Sequence, residues 1–332
     1  MNDFVSIAIV NYNNKDYLQR CINSILNQSY KNFEIIFIDN CSVDGSFEYV
    51  SNLFKQENIK VIKPDTNLGY AGGANLGIDL SSGNYVMIMN PDVILDKDFV
   101  KECCNLMESD SEIAAINGKL LKYDFEKDVK LNIFDSTGIC VERSRRAYDR
   151  GQNQEDVGQY EKTELIFGVC GAAAFYRKSA LEDIKIEKEY FDEDFFAYKE
   201  DIDLSWRLNL YGYKNIYYPK ALAYHGRALG GSRGGIKNYL NNRKSQSKFL
   251  RGISFRNHYL MLLKNETHKS FGTDKFKILK RFFVFLGYSL IFERFNFKYL
   301  VEIYKLKGKI LHKKSLFMNN EKIKEINIDV FN

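Results

Sequence analysis

Several carboxylates stand where the sequence predicts the end of a strand or the start of a helix. The apolar run from Tyr85 to Asn90 predicts a buried strand, and Pro91 and Asp92 follow it directly. Proline cannot donate to a sheet ladder, so the strand should stop there and hold Asp92 at the rim of the sheet. In open α/β sheets, ligands bind at this rim, beyond the carboxyl ends of the strands. The pattern therefore predicts that Asp92 holds a ligand.

A second strand-end carboxylate is Asp39, which closes the apolar run FEIIFID. A carboxylate in this position can accept an N–H group from the edge of a base. The turn after it contains Ser42 and Asp44, which are also typical of an Asx-turn and a helix cap. Both interpretations stay open for the turn.

A third group of acids, Glu200, Asp201 and Asp203, lies in the segment YKEDIDLSWRL, where a helix is predicted from Asp201 to Tyr211. Acids stabilise the first turn of a helix through its dipole, so these side chains can be caps. A carboxylate on such a rigid element can also take a proton from a reacting hydroxyl group. Trp206, one turn inside the helix, is expected in the core.

The elements that carry these acids alternate between strand and helix over the first hundred residues. Apolar residues recur at helical spacing in DYLQRCINSILNQ, and SFEYVSNLFKQ and YAGGANLGIDLSS predict two further helices. Strands are predicted at SIAIVNY, FEIIFIDN, IKVIKP and NYVMIMN. This alternation predicts an α/β fold, with a mostly parallel central sheet covered by helices on both faces.

The rest of the chain is less regular. IAAINGKLL, ELIFGVCGAAAFYRKSAL and NIYYPKALAYHG predict strands, the second of which continues into a helix. Residues 123–163 are polar and charged, and we expect loops or a hairpin near the surface. The Gly-rich stretch RALGGSRGGIKN, with Arg227 and Arg233, is the predicted domain boundary, and helices are expected beyond it.

Charge is divided unevenly along the 332 residues. Residues 236–332 hold 21 Lys and Arg against 7 Asp and Glu, a net charge of +14, whereas residues 1–235 carry −9. The basic region favours an anionic membrane surface over nucleic acid, because no nucleic-acid-binding module accompanies it. Its longest uncharged run, Phe282–Phe292, has 11 residues. A membrane span needs about 20, so an interfacial helix or packing onto the first 235 residues stays open.

The six cysteines form no C-x-x-C pair and have no histidine cluster beside them. We therefore expect reduced core thiols in a cytosolic protein. The N-terminus begins almost at once with the predicted strand FVSIAIVNY and has no basic n-region, so we expect no signal peptide.

Seven short motifs follow one another in a characteristic order: IVNYN, IDNCSVDGS, NLGYAGGANLG, MNPDV, GVCGAAAFYRK, EDIDLSWR and YHG. Together they resemble the family 2 glycosyltransferases, and more closely the bacterial rhamnosyltransferase-like branch with the GT-A fold. The resemblance covers roughly residues 5–231. It implies a catalytic domain over 1–235, with a nucleotide-binding half (1–92) and an acceptor-binding half (93–235), followed by a helical basic region (236–332).

By this resemblance Asp39 contacts the nucleobase, and the chain at Val10, Asn11 and Tyr12 lines the same pocket. The small residues of LGYAGGANLG suit a diphosphate near helix N–H groups. A dinucleotide fingerprint fits poorly, because residues 72–77 read G-x-A-x-x-G and follow the third strand. The other residues expected to contact a nucleotide sugar are Asn40, Gly69, Tyr70, Asn75, Asn90, Cys170 and Gly171.

Asn90-Pro91-Asp92 resembles the D-x-D motif of the family, in which a strand-end Asp binds a divalent cation bridging the two donor phosphates. Hard oxygen ligands suit Mg²⁺ or Mn²⁺. Asn90 replaces the first Asp, so one carboxylate remains, and phosphates and waters would complete the shell. A single histidine is more often structural, but by the resemblance His225 is expected to bind the metal through a neutral imidazole.

In the family the second acid of the Glu-Asp pair is the base, which assigns Asp201, while Glu200 is placed to help bind the acceptor. The resemblance thus implies an inverting transferase that uses dTDP-rhamnose or a UDP-sugar. The acceptor would be a hydroxyl of a glycan or lipid-linked molecule in cell-surface polysaccharide synthesis. We expect a cytoplasmic protein, peripheral at the anionic inner face of the cell membrane.

Two alternatives stay open. A sugar-phosphate nucleotidyltransferase would also bind a nucleotide and a metal ion. It usually carries a Gly-rich loop with Arg or Lys after the first strand, and IVNYNNKDYL lacks one. A non-catalytic protein that binds a membrane surface would need neither Asp92 nor Asp201.

Overall fold

A computed structural model describes residues 3–226 and 247–323 of the chain. The strands are β1 (Val5–Asn11), β2 (Phe33–Asp39), β3 (Ile59–Ile62), β4 (Tyr85–Met89), β5 (Val93–Leu95), β6 (Ile113–Asp124), β7 (Val129–Ser136), β8 (Ile139–Val141), β9 (Ala147–Asp149), β10 (Glu164–Leu165), β11 (Ala173–Arg177) and β12 (Lys214–His225). The helices are α1 (Lys15–Leu26), α2 (Ser46–Leu53), α3 (Gly69–Asp79), α4 (Phe99–Ser109), α5 (Lys178–Asp183), α6 (Glu200–Tyr211), α7 (Lys248–Asn265), α8 (His268–Phe292) and α9 (Asn296–Met318).

Ten of these strands form one mixed sheet in the order β10-β12-β6-β11-β4-β1-β2-β3, with β5 beside β12 and β7 beside β6. The first four strands run parallel, and Val5 pairs with both Phe33 and Tyr85. Strand β11 is antiparallel to β4 and β6, whereas β12 is parallel to β6. The predicted α/β architecture with a C-terminal helical segment is confirmed.

The sheet is covered on both faces because its central strands are apolar at consecutive positions. Every residue of β1 and β2 is buried. Ala8 and Val10 face a core that includes α3, α6, α7 and α9, whereas Ile7 and Ile9 face a core with α1 and α4. Five of the six cysteines are buried among these side chains, and Cys41 is half-buried. Trp206 lies in the first core with no exposed surface, as the sequence predicts.

The structure differs from the sequence predictions in three places. The strand before Pro91 ends at Met89, so Asn90 already belongs to the turn. Helix α4 was not predicted, although its apolar side chains lie on the sheet. The hairpin expected within residues 123–163 is present as β8–β9, but the region also contains β7 of the main sheet, and Asp135 and Arg145 are fully buried instead of near the surface.

Helix α6 is joined to the C-terminal helices through buried charges. The Nζ of Lys264 in α7 lies 2.7 Å from Asp203 in α6 and 2.7 Å from Asp192. The Nζ of Lys313 in α9 lies 2.6 Å from Asp192 and 2.7 Å from Asp194. Charges this deeply buried are retained only when they are paired. Part of the basic excess after residue 235 is therefore matched by acids of the preceding body.

Arg145 makes a second connection, between the β8–β9 hairpin and the C-terminal helices. Its Nε and Nη2 each lie 2.8 Å from a carboxylate oxygen of Glu266, and its Nη1 lies 2.7 Å from Asp274 in α8. The bidentate contact with Glu266 matches the planar geometry of the guanidinium. The hairpin is therefore held against α8.

The predicted domain boundary, with Arg227 and Arg233, lies outside the described residues. Among residues 3–226 and 247–323, no helix is both long enough and apolar enough to span a membrane.

The buried ion pairs should matter more for stability than exposed ones. We expect Lys264→Met to lower the free energy of unfolding by about 3 kcal/mol, because two buried carboxylates each lose a partner. Lys309→Met is the matched control: its Nζ lies 2.7 Å from Asp194, but its side chain is 52% exposed. The control should lose at most about 1 kcal/mol. Urea unfolding of the full chain measures both values, and equal losses would contradict this account.

Candidate active site

The first part of the site is built at the carboxyl ends of β1 and β2. The Asn11 side chain donates from Nδ2 to Asp39 Oδ1 at 2.9 Å and lies 3.1 Å from Ser42 Oγ. The backbone N–H of Ser42 donates to Asp39 Oδ2 at 3.2 Å. Asp39 is fully buried, whereas Tyr12, which follows β1, is half-exposed. The Asp39 carboxylate is thus fixed at the sheet rim, beside Val10 and Asn11 at the end of β1.

Asn40 connects this rim to the start of α3. Its Nδ2 donates to the carbonyl of Gly69 at 2.7 Å, and its Oδ1 accepts the N–H of Leu68 at 2.8 Å. Gly69 has a φ of +70°, and a Cβ there would lie 2.4 Å from the carbonyl oxygen of Phe196. Only glycine fits both the conformation and the close approach.

Tyr70 and Asn75 extend from α3 in two directions. The Tyr70 hydroxyl donates to the carbonyl of Gly171. The Asn75 amide donates to the carbonyl of Phe191 at 2.8 Å and to Glu193 at 2.9 Å, and it accepts the N–H of Phe191. Asn75 therefore holds the 191–193 segment, and its predicted contact with a nucleotide sugar stays a prediction.

The segment 170–172 lies between the turn at Asn90 and the acids of α6. The N–H of Cys170 donates to Asn117 Oδ1 at 2.7 Å, and the carbonyl of Ala172 accepts the N–H of Asn90 at 2.9 Å. The N–H of Gly171 donates to Asp201 Oδ2 at 3.2 Å. Asn40, Gly69, Tyr70, Gly171 and Asp201 are thereby linked in one path of contacts.

Asp92 and His225 meet near the ends of β4 and β12. His225 Nε2 lies 3.3 Å from Asp92 Oδ1, and Nδ1 lies 2.7 Å from Asp135 Oδ2. Burial alone would lower the pKa of His225, but the carboxylates of Asp92 and Asp135 raise it to about 9. Residues 3–226 and 247–323 contain no group of three or more His, Cys, Asp or Glu side chains that could hold a metal ion.

The acids of α6 follow a segment of unusual backbone conformation. Phe196, Tyr198 and Lys199 all have positive φ, between 63° and 75°. Such angles cost about 1–2 kcal/mol for each non-glycine residue, so other contacts must hold them. One is Asn257 of α7, whose Nδ2 lies 2.8–2.9 Å from the carbonyl oxygens of Phe195, Ala197 and Tyr198.

The three acids of α6 have different environments. Burial and the nearby charge of Asp201 raise the pKa of Glu200 to about 8, and Glu200 Oε2 has no hydrogen-bond partner among the described residues. Burial also raises the pKa of Asp201, but Lys199 and the N–H groups of Gly171 and Ile202 favour its charged form. Burial thus raises the pKa of both acids, and only Asp201 has N–H groups of other residues that favour its charged form. Asp203 is paired with Arg207, Lys264 and Asn265.

The comparisons with known proteins identify the family of the chain. The family model described as glycosyl transferase family 2 matches residues 6–185, more than half of the chain. The chain belongs to glycosyl transferase family 2.

Two relatives in this family illustrate the range of similarity. The poly-beta-1,6-N-acetyl-D-glucosamine synthase of Staphylococcus epidermidis is 26% identical over 223 residues, which are 66% of this chain and 49% of that protein. The glycosyltransferase GlyG of Streptococcus pneumoniae is 32% identical over 146 residues, 43% of this chain and 47% of that protein. The chain spans about half the length of the curated relatives it matches.

Solved structures show the fold. Staphylococcus aureus TarS 1-349 in complex with UDP aligns with a TM-score of 0.51 at 17% identity, over 88% of this chain and 73% of that one. The mannosyltransferase PcManGT from Pyrobaculum calidifontis, in complex with GDP-Man and Mn²⁺, aligns with a TM-score of 0.55 at 13% identity, over 96% and 86%. The chain of this family 2 member has the GT-A fold.

Two site residues of this family 2 member were not predicted from the sequence. Asp135 ends the run NIFD, the same pattern of apolar residues closed by Asp that singles out Asp39. That signal was available, but the polar residues around it favoured a loop. Asn257 lies within a helix about 60 residues after the acids it supports, and no local pattern indicates its contact.

Glycine at position 69 should be essential for the shape of the site. We expect Gly69→Ala to lower the free energy of unfolding by about 3 kcal/mol, from its positive φ and from its overlap with Phe196. Gly158→Ala is the matched control, since Gly158 has a φ of +84° but no atom within 4 Å of its added Cβ. The control should lose only about 1 kcal/mol. Thermal unfolding compares the two variants, and a Gly69→Ala loss no larger than the control would refute the close approach.

Proposed function

We propose that this chain is an inverting glycosyltransferase of the rhamnosyltransferase-like branch. It would move a sugar from dTDP-rhamnose or a UDP-sugar to a hydroxyl of a glycan or lipid-linked acceptor in cell-surface polysaccharide synthesis. The observation that supports this most is the path of contacts from Asn40 through Gly69, Tyr70 and Gly171 to Asp201. It connects a rim suited to a nucleotide with a carboxylate suited to a base.

The donor would lie along the carboxyl ends of the first four strands. Asp39 would accept an N–H of the nucleobase, with Val10, Asn11 and Tyr12 around it. Gly69 and Tyr70 at the start of α3 would face the sugar diphosphate, where helix N–H groups favour negative charge. Asn75, Asn90, Cys170 and Gly171 complete the proposed donor site.

The residues at Asp92 suit a divalent cation, Mg²⁺ or Mn²⁺. Asp92 offers a carboxylate oxygen, and His225 turns one ring nitrogen toward it while the other faces the buried Asp135. A carboxylate behind a histidine fixes the ring orientation in many metal sites. Asp92 and His225 would hold the ion with the donor phosphates, and the ion would stabilise the charge of the leaving diphosphate. Asp92 Oδ1 and the neutral form of the His225 ring would supply the donor atoms for such a cation, so its binding would release the His225 proton.

Asp201 would act as the general base. As the acceptor hydroxyl attacks C1 of the sugar, a new oxygen–carbon bond forms and the bond from C1 to the diphosphate oxygen breaks. Asp201 takes the hydroxyl proton, and the nucleoside diphosphate leaves with the electron pair. Glu200, protonated at neutral pH, can donate a hydrogen bond to the acceptor. A single in-line displacement inverts the configuration at C1.

The acceptor half and the cellular location extend this proposal. One relative is a poly-beta-1,6-N-acetyl-D-glucosamine synthase and another is a glycosyltransferase, and both names support a role of this chain in polysaccharide synthesis. We place the protein in the cytoplasm, peripheral at the inner face of the membrane, where a lipid-linked acceptor would be presented.

Replacing the base should separate chemistry from folding. We expect Asp201→Asn to lower kcat by at least about 1,000-fold, within the range for a lost general base, with an unchanged melting temperature. Asp203→Asn, which weakens the contacts of Asp203 with Arg207, Lys264 and Asn265, should instead lower the melting temperature, and its loss of turnover should be much smaller than that of Asp201→Asn. Release of nucleoside diphosphate from UDP- and dTDP-sugars in the presence of membrane extract measures turnover. Wild-type turnover in Asp201→Asn would exclude its role as base.

The metal assignment has a readout that does not depend on turnover. UDP, dTDP and GDP are titrated with and without Mn²⁺ while the melting temperature is followed, since ligand at 100 times Kd adds about 2.7 kcal/mol of stability. One nucleotide should give a larger shift with Mn²⁺. Asp92→Asn should remove the Mn²⁺-dependent part, whereas Glu108→Gln, an exposed control on α4, should keep it. A Mn²⁺ effect that survives in Asp92→Asn would contradict the assignment.

A further inference from the structure

Helix α8 carries a row of exposed apolar side chains. Phe276, Phe283, Val284 and Ile291 are 88%, 63%, 65% and 69% exposed. Their spacing of seven, eight and fifteen residues from Phe276 puts them on one face of a helix. We call this row, with the exposed Leu290 near its end, the outer face of α8. Such a continuous apolar surface is unusual on a protein that meets only water.

The charges around the outer face are of one sign. Lys275, Lys277 and Lys280 of α8 are exposed. The acidic side chains of α8 and of the segment after it form ion pairs with arginines. Asp274 lies 2.7 Å from both Arg143 and Arg145, Glu293 lies 3.0 Å from Arg251, and Glu302 lies 3.0 Å from Arg256. In α8, the one acid is thus withdrawn from solvent, while the lysines stay beside the exposed phenylalanines.

We propose that the outer face of α8 is the surface by which this protein binds an anionic lipid bilayer. Apolar side chains of an interfacial helix enter the boundary between headgroups and acyl chains, and lysines beside them meet anionic headgroups. The helix lies in the surface plane, because its uncharged run is too short to cross. This inference rests on the proposed function only for the membrane location of the acceptor.

A second copy of the chain fits this face less well. In a two-fold dimer the same patch meets itself, so the lysines of one outer face would lie against those of the other. The repulsion would oppose the contact, since α8 offers no exposed acid to pair with them. An anionic bilayer satisfies the apolar and the charged side chains together.

The opposite side of α8 relates this surface to the candidate active site. Arg281, Phe282 and Phe285 line a cavity of about 180 Å³ together with His258 and Tyr259 of α7. Next to His258 in the chain is Asn257, which holds the segment before Glu200 and Asp201. Helix α7 therefore contacts both α8 and the segment that precedes Glu200 and Asp201.

The test is co-sedimentation of the full chain with large unilamellar vesicles, without donor or acceptor. Vesicles of phosphatidylcholine are compared with vesicles in which about one lipid in three is phosphatidylglycerol. Binding should be at least about 10-fold stronger to the anionic vesicles and should fall as salt rises. Because no sugar transfer is measured, loss of vesicle binding and loss of transferase activity are separate results.

Variants distinguish the outer face from the rest of the surface. The pair Phe276→Ser and Phe283→Ser, and separately the triple change of Lys275, Lys277 and Lys280 to Glu, should each reduce binding by about 100-fold. The control pair Val157→Ser and Leu165→Ser removes side chains that are 77% and 69% exposed elsewhere. The control should bind like the native chain. Unchanged binding in the α8 variants would overturn the proposal.

Light scattering on the same proteins tests whether a second copy of the chain binds the outer face of α8 instead. The native chain should remain monomeric without vesicles at the concentrations used. If it forms dimers that the Phe276→Ser and Phe283→Ser pair dissociates, and vesicles are not bound, the outer face joins two copies and the proposal is wrong.

Discussion

The buried charges that join α6 to the C-terminal helices are the constraint on which the site depends. Asp203 and Asp192 lie in a low-dielectric interior and are retained because Lys264 and Lys313 reach them from α7 and α9. Removing one partner would leave a carboxylate without compensation, which is costly in such an interior. The same contacts fix the direction of α6, whose first turn carries Glu200 and Asp201. The C-terminal helices are therefore part of the catalytic body, and their basic composition reflects this internal role as well as any external partner.

A second level of organisation lies in the loops at the sheet rim. Asn40 and Asn257 act alike, because each side-chain amide bonds the backbone of a neighbouring segment: Asn40 bonds Leu68 and Gly69, and Asn257 bonds the carbonyl groups of the 195–198 segment. The two segments meet where Gly69 approaches Phe196 and where the N–H of Ala71 bonds the Phe196 carbonyl, so the start of α3 contacts the segment before the acids directly. Separate strands and helices thereby place Asp39 and Asp201 in one rigid arrangement, as electrostatic stabilisation of a transition state requires.

Local pattern was sufficient for much of this structure. The parallel strands, the start of α3 and helix α6 with its Gly212 stop follow from apolar periodicity and from turn residues. The position of Asp92 at the rim follows from the proline before it. What local pattern could not provide are contacts between distant parts of the chain, because the C-terminal partners of Asp203, Arg145 and the 195–198 segment lie more than 50 residues away. Without those partners, the polar stretch around Arg145 indicates a surface region, and the basic C-terminal region favours a membrane surface while packing onto the first 235 residues stays open.

The measurement that tests the central claim most directly is a crystal structure of the full chain with Mn²⁺ and the nucleoside diphosphate that stabilises it most. The account predicts an anomalous peak for Mn²⁺ within about 2.5 Å of Asp92 and His225 Nε2. It also predicts the base beside Asp39, the diphosphate at the start of α3, and Asp201 facing the space beyond the terminal phosphate. A Mn²⁺ peak on Glu200 and Asp201, or a nucleotide bound away from Asp39, would contradict the assignment of donor site and base.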